Sequence, residues 1–209
     1  MITGAILAGG KSRRFGRNKT VEVLGGKRLI NHCLEGIQRF CDPVFVVAND
    51  LEPYADLEVS LIRDLVAHQG PLGGIQAALA SSPHEWVFVK AADMPFLVPG
   101  LVRLMLASTM DADLVVPVGR KGFEPLLALY NRRCLPAIER LLGSNERSVT
   151  AIFDRVRLKT IGENQWRKID GEGRSFLNVN TPEDWTDLIV NYSGLIPRLP
   201  VSPTAQKVL

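Results

Sequence analysis

Three short segments of this chain, Ile2 to Leu7, Pro43 to Ala48 and Trp86 to Val89, are apolar at nearly every position and not at every second one. A strand of that kind has hydrophobic neighbours on both faces, which places it in a parallel sheet with helices on either side. Between the runs lie stretches of helical spacing, such as Leu29, Ile30, Cys33, Leu34, Ile37 and Phe40, which mark one face of an amphipathic helix. The same reading predicts further strands at Val59 to Ile62, Asp113 to Val118 and Val156 to Ile161. Further helices are expected at Ile75 to Ala80, Pro99 to Leu106, Leu135 to Leu142, Val149 to Phe153 with Ser148 as cap, and Pro182 to Asn191 with Thr181 as cap. Thr20 to Leu24 alternates like a short strand before a Gly25-Gly26-Lys27 turn, and Phe176 to Val179 reads as extended. Glu124 to Tyr130 is also extended, because Pro125 disfavours helix at the residue before it. The expected fold class is α/β: three layers, α/β/α, around a mostly parallel sheet.

The first strand runs directly into Leu7-Ala8-Gly9-Gly10-Lys11-Ser12-Arg13-Arg14-Phe15-Gly16-Arg17-Asn18-Lys19, which holds three glycines, five cations and no acid. Glycines let main-chain N–H groups approach oxygens without a Cβ in the way, and the cations supply the charge that a polyphosphate needs neutralised. The spacing is neither that of a Walker loop nor that of a dinucleotide fingerprint, since Gly9 and Gly10 are adjacent and Gly16 lies six residues on. A phosphate cradle is the reading with most chemistry behind it, against an ordinary basic turn or a nucleic-acid patch.

Composition narrows the alternatives. The 209 residues, 46% apolar and 22% charged, suffice for one domain with a substantial core. We expect that domain over 1–192, with an extension at 193–209 that carries Pro197, Pro200 and Pro203. A net charge of +3 with much of the excess in one loop does not suit a general nucleic-acid binder, whose basic surface is wider. Three cysteines without Cys-x-x-Cys spacing suggest neither a disulfide framework nor a structural zinc site. No run reaches the length of a membrane span, and the cations follow the first apolar run where a secretory signal would place them before it. A cytoplasmic location, with no membrane and no nucleic acid as partner, is the expectation.

In an open α/β sheet, ligands gather at the carboxyl ends of the strands. The glycine loop, Asn49, Asp64 and Asp93 all fall at such ends. Asp93, among Ala91, Ala92, Met94 and Pro95, is the best candidate ligand for the hard divalent cation that nucleotidyl transfer needs; a turn or cap role is its alternative. Gly70-Pro71-Leu72-Gly73-Gly74 can bring main chain close to a base or ribose, or is simply a loop stiffened by proline. Asn178 and Asn180 alternate with apolar residues and should share a face, either toward a cleft or, for Asn180, capping the next helix. The three histidines are isolated, and neither a Gly-x-Ser-x-Gly elbow nor a cysteine-nucleophile signature is present.

The pattern Leu-Ala-Gly-Gly-x-x-x-Arg-x-Gly-x-x-Lys resembles the nucleotidyltransferases that join an NTP to a phosphorylated acceptor, and among them the molybdenum cofactor guanylyltransferase family. The resemblance runs through Leu7 to Lys19, Asn49, Asp64, Gly70 to Gly74, Ala92 to Pro95, Glu124 to Tyr130 and Asn178 to Asp184. It departs from the family's usual pattern at Asn18, where Asp is common, and at Ala92, where Cys is common. It implies a Rossmann-like nucleotidyltransferase fold and transfer of GMP from GTP to molybdopterin carrying molybdenum, with Mg²⁺ as cofactor. It also implies transient contacts with proteins that deliver or accept the cofactor. By the same resemblance Leu7, Ala8, Gly9, Gly10, Asn49, Asp64 and Gly74 bind GTP, while Arg14, Gly16 and Lys19 surround its phosphates. Lys19, Arg14 and Asp93 would be catalytic, Asp93 holding the metal, and Asn178 and Asn180 would face the acceptor. A CTP-dependent cytidylyltransferase on the same scaffold and a non-catalytic nucleotide-binding module are the competing readings.

Overall fold

The computed structural model describes residues 1–9, 18–65 and 69–192. The chain enters on β1 (Thr3–Leu7), makes a 3-10 turn at Lys19–Val21, and forms a small hairpin of β2 (Val23–Leu24) and β3 (Lys27–Arg28). It continues through α1 (Leu29–Ile37), β4 (Val44–Val47), β5 (Ser60–Ile62), α2 (Gly70–Ser81), β6 (Trp86–Ala91), α3 (Pro99–Ala107), β7 (Leu114–Gly119) and β8 (Gly122–Phe123). The described chain ends with β9 (Leu127–Asn131), α4 (Leu135–Gly143), a 3-10 helix at Val149–Arg155, β10 (Leu158–Ile161), α5 (Glu163–Trp166) and α6 (Pro182–Tyr192).

The main sheet has the order β10-β7-β9-β6-β1-β4-β5, with β8 paired to β7. β1 pairs in parallel with both β4 and β6, β4 with β5, and β7 with β10, whereas β9 is antiparallel to β6 and β7. The apolar runs are indeed buried on both sides. Ile6, Val46, Phe88 and Leu129 face the core under α1 and α3, while Ala5, Val47, Val89 and Tyr130 face that under α2 and α4, which is the period-two alternation of a strand read between two helical layers. In α1, Leu29, Ile30, Cys33, Leu34 and Ile37 are all buried. Each large aliphatic there contributes about 1.5–3 kcal/mol by leaving water, enough to hold a helix of only nine residues that would be marginal alone.

Several local expectations are corrected. Thr20 to Leu24 is not one strand: Asn18 Oδ1 accepts from Thr20 N at 3.1 Å, which caps a 3-10 turn, and only Val23–Leu24 pair with the next strand. Gly70 to Gly74 is not a loop before a helix but the first turns of α2. Ser148 precedes a 3-10 helix without a side-chain cap bond. Phe176 closes a 3-10 turn at Arg174–Phe176 and does not open an extended segment. α5 was unread because a four-residue helix carries too little periodicity. Thr181 does cap α6: its Oγ1 accepts from Asp184 N at 3.2 Å while Asp184 Oδ2 accepts from Thr181 N at 2.9 Å, the reciprocal pattern of a capping box.

At the amino end of β7, Asp113 joins three elements. Its carboxylate accepts from Arg133 Nε at 2.6 Å, Arg157 Nη2 at 2.8 Å, Arg157 Nε at 3.0 Å and Arg157 N at 3.1 Å. The Arg157 hydrogen bonds, opposed by burial and helped by Arg133, hold this carboxyl well below the usual carboxylate range. Since the folded value lies below the unfolded one of about 4, the stabilisation is complete above that pH and is lost as pH falls toward the folded value. Asp113→Asn should therefore cost about 1–2 kcal/mol at neutral pH, discounted because both arginines are half exposed. Urea midpoints of variant and wild type should converge as the pH drops below about 4; a gap that stays constant with pH would assign the loss to packing instead.

Candidate active site

β1, β4, β5 and β6 run the same way, so their carboxyl ends form one edge. The register Leu7↔Val47, Leu7↔Ala91 and Val47↔Ile62 brings Ala8, Asn49, Asp64 and Asp93 to it. Main-chain bonds continue past the strand ends, from Ala8 N to Val47 O at 2.8 Å, Ala48 N to Ile62 O at 3.0 Å and Ala92 N to Leu7 O at 3.0 Å. The loops therefore leave from a rigid base.

Lys19 is the centre of this edge. Its Nζ donates to Asp93 Oδ2 at 2.7 Å, to the carbonyl of Val179 at 2.6 Å and to Asn180 Oδ1 at 2.9 Å. An ammonium has three donors, and all three are used. The lysine is buried, with a side chain only 10% exposed against 19% for Asp93. The turn carrying Asp93 is tied to the same segment through main chain, Val179 N donating to Asp93 O at 2.9 Å. Asp93 Oδ1, by contrast, is buried without a hydrogen-bond partner among the described residues. One carboxylate oxygen thus neutralises the lysine and the other remains an unengaged acceptor in a place where such atoms are normally satisfied.

Asn18, where the resemblance would place an acid, holds Lys19 in position. Its Oδ1 accepts from Thr20 N and from Thr20 Oγ1 at 2.7 Å, and its Nδ2 donates to Tyr54 Oη at 3.3 Å. Tyr54 in turn donates to the Ala8 carbonyl at 3.3 Å. An aspartate could not make the donor contact, so the amide suits this network.

The second group lies beside β1 and β4. Asn49 Nδ2 donates to Asp64 Oδ2 at 3.2 Å. A Cβ on Gly74 would lie 3.2 Å from Leu7 Cδ2 and 3.5 Å from Asp64 Oδ1, and one on Gly9 would lie 3.8 Å from Asn49 Nδ2. Leu7, Gly9, Asn49, Asp64 and Gly74 are therefore neighbours, and the glycine at position 74 lets α2 approach the strand ends this closely. Gly10, Arg14 and Gly16 lie outside the described residues. Asn180 joins Lys19, but Asn178 is exposed and makes no hydrogen bond among the described residues, so the two amides do not act as a matched pair here.

Two features escaped the sequence reading. The Val179 carbonyl is a ligand of Lys19 although its residue type carries no polar signal. Lys90 is fully buried beneath the Asp93 turn, its Nζ 3.7 Å from Cys33 Sγ. Burial pushes the lysine down and the thiol up, and the one S–H of the thiol is shared between the carbonyls of Ala92 at 3.4 Å and Met94 at 3.3 Å. Both carbonyls flank Asp93, so this pair supports the turn from below.

With the geometry established, comparison with known proteins is informative. Residues 4–160 match the family model of the MobA-like NTP transferase domain. The chain is 40% identical over 185 residues to molybdenum cofactor guanylyltransferase of Desulfosudis oleivorans, covering 88% of this chain and 92% of that one. It is 34% identical over 192 residues to a probable molybdenum cofactor guanylyltransferase of Carboxydothermus hydrogenoformans, covering 92% and 97%. Its fold is similar, with a TM-score of 0.80 and 31% identity, to the crystal structure of molybdopterin-guanine dinucleotide biosynthesis protein A from Archaeoglobus fulgidus, covering 92% of this chain and 100% of that one.

Because Lys19 is buried, its removal affects folding as well as any ligand. Lys19→Ala leaves the Asp93 carboxylate and the Val179 carbonyl without a donor, at a cost of about 2–4 kcal/mol. A urea denaturation of the variant should show this as a lowered midpoint at unchanged slope. Coincident curves would make Lys19 a ligand contact with no structural share.

Proposed function

The chain belongs to the family of MobA-like NTP transferases, and from that membership we infer that it transfers GMP from GTP to molybdopterin carrying molybdenum, releasing pyrophosphate and forming the guanine dinucleotide cofactor. The observation that carries the mechanism is the convergence of Lys19, Asp93 and Asn180 at the carboxyl edge of the sheet. An oxygen of the acceptor's terminal phosphate attacks the α-phosphorus of GTP. The new P–O bond forms as the bond to the β-phosphate oxygen breaks, and pyrophosphate departs with that electron pair. No covalent intermediate with the protein is needed, so positioning and electrostatics supply the rate.

In this reading Leu7, Ala8, Gly9, Asn49, Asp64 and Gly74 bind the nucleoside, with Gly10, Arg14 and Gly16 toward its phosphates. Lys19 exchanges one protein acceptor for a phosphate oxygen and stabilises the charge that develops on the leaving group. Asn180, released from the lysine, turns to the acceptor phosphate, and Asn178 lies further out on the same side. The unengaged Asp93 Oδ1 fits a hard cation, and among the described residues no cluster of three or more His, Cys, Asp or Glu forms a protein cage. That donor set suits Mg²⁺, which is held by one or two carboxylates and completed by phosphate oxygens and water. When bound, Mg²⁺ would neutralise phosphate charge beside Lys19. The reading carries with it a cytoplasmic site of action and passing contacts with proteins that deliver or receive the pterin. Among the described residues no helix is long and apolar enough to cross a membrane.

Guanine offers an N1–H and an exocyclic amine that buried acceptors can read, and a site whose acceptors are left unpaired by the wrong base discriminates by about 10⁴. With molybdopterin as acceptor, pyrophosphate release should therefore be far faster from GTP than from CTP. Equal or faster release from CTP would make the protein a cytidylyltransferase.

Asp93→Asn keeps the shape of the turn and loses its charge. It should lower kcat about a hundredfold and move the Mg²⁺ dependence to higher concentration. A Mg²⁺ titration that overlays the wild type would place the metal elsewhere.

A further inference from the structure

The mechanism leaves Glu124 without a task, although it faces the same cleft. Its carboxylate is half-buried, its charged neighbours are Lys121 on its own hairpin and Asp93 across the cleft, and its side chain makes no hydrogen bond among the described residues. It is pressed against Gly119. A Cβ there would lie 2.9 Å from Glu124 Oε1 and 3.3 Å from Phe176 Cδ1, so the carboxylate and the aromatic ring meet over one glycine. Phe176 packs on Trp166 with ring centroids 4.5 Å apart and planes inclined by 43°.

This aromatic pair is fixed by main chain. Trp166 Nε1 donates to Val118 O at 2.8 Å. The buried Asp170 carboxylate accepts from Arg174 N and Ser175 N, both at 2.8 Å, and Ser175 Oγ accepts from Val98 N at 2.9 Å. Three residues beyond Phe176, the carbonyl of Val179 binds Lys19. A rigid ring, beside it a carboxylate without a hydrogen bond among the described residues, and, three residues on, the carbonyl that holds the catalytic lysine make a site for a flat heterocycle with a donor edge and a phosphate arm.

We propose that Glu124, Gly119 and Phe176 form the subsite for the acceptor's pterin ring, Phe176 lying against its face and the Glu124 carboxylate accepting from its 2-amino group and N3–H. A carboxylate matches two adjacent donors in the bidentate manner. Gly119 leaves the space that a side chain would fill. The guanine of the donor, in contrast, is assigned to the Asn49, Asp64 and Gly74 group beside β1 and β4. The subsite rests on the transferase reading for the identity of its ligand.

The test is a fluorescence titration of the full chain with 6-hydroxymethylpterin phosphate and with its lumazine counterpart, which carries a 2-oxo group in place of the 2-amine. Wild type should prefer the pterin, and Glu124→Gln, which sets an amide donor against a ring donor, should weaken pterin binding by about tenfold to a hundredfold and abolish the preference. Affinity for GTP should not change. The variant is isosteric, and its melting curve serves as the check on folding. Unchanged pterin affinity and preference in Glu124→Gln, or failure of wild type to bind the pterin, would overturn the proposal. A fall in GTP affinity, or a shift in Mg²⁺ dependence with pterin binding intact, would also overturn it by assigning the carboxylate to the nucleotide or the metal. GMP transfer by wild type is assayed separately: a Glu124-dependent pterin site without transfer would refute the transferase reading and leave the subsite standing.

Discussion

The ammonium of Lys19 holds the cleft together. It draws in Asp93, Val179 and Asn180, which lie 74, 160 and 161 residues further along the chain. Removing a lysine and a carboxylate from water is costly, and their attraction offsets that cost only when the remaining donors are satisfied. Here the other two donors find a main-chain carbonyl and an amide oxygen. The segment that leads into α6 is thereby clamped across the end of β6, and the residue that closes the glycine loop is anchored between them.

The two ends of the sheet divide the labour. At the edge formed by the carboxyl ends of β1, β4, β5 and β6, Asp93 Oδ1 and, on the turn between β8 and β9, the Glu124 carboxylate make no hydrogen bond among the described residues. At the amino end of β7, Asp113 is saturated by two arginines and ties β7, β10 and the turn after β9 together. Satisfied polar groups add stability and unsatisfied ones cost it; among the described residues the buried atoms without a partner are Asp93 Oδ1 at the first edge and Asn131 Nδ2 at the second, so it is the neighbouring Lys19 and Asn180, and not the missing partner alone, that single out Asp93. The antiparallel β9, inserted between β6 and β7, brings the turn that carries Glu124 to the same edge as Asp93.

Much of this was legible in the sequence. The doubly buried strands follow from uninterrupted apolar runs, and once they are parallel, Asn49, Asp64 and Asp93 must share an edge because each follows a strand directly. Thr181 as a cap follows from Asp184 three residues on. The misreadings have local causes. Thr20 to Leu24 alternates like a strand, but the Asn18 side chain offers Thr20 N a closer acceptor than any neighbouring strand. Gly70 to Gly74 has the composition of a loop, yet tertiary packing against Leu7 and Asp64 favours a helix in which only small residues fit.

By itself the sequence determined the α/β layers, the strand ends that carry polar groups and the family of nucleotidyl transfer, because periodicity, turn chemistry and motif spacing are properties of neighbouring residues. Tertiary structure alone decided that Lys19 is buried, that Asn180 and not Asn178 is its amide partner, that a valine carbonyl is its third acceptor, and that Glu124 stands over Gly119 beside Phe176. Those contacts join residues far apart in the chain, and no local pattern encodes which distant carbonyl or carboxylate a given ammonium will meet. They arise when the sheet closes and buried polar groups must take whatever partners its geometry supplies.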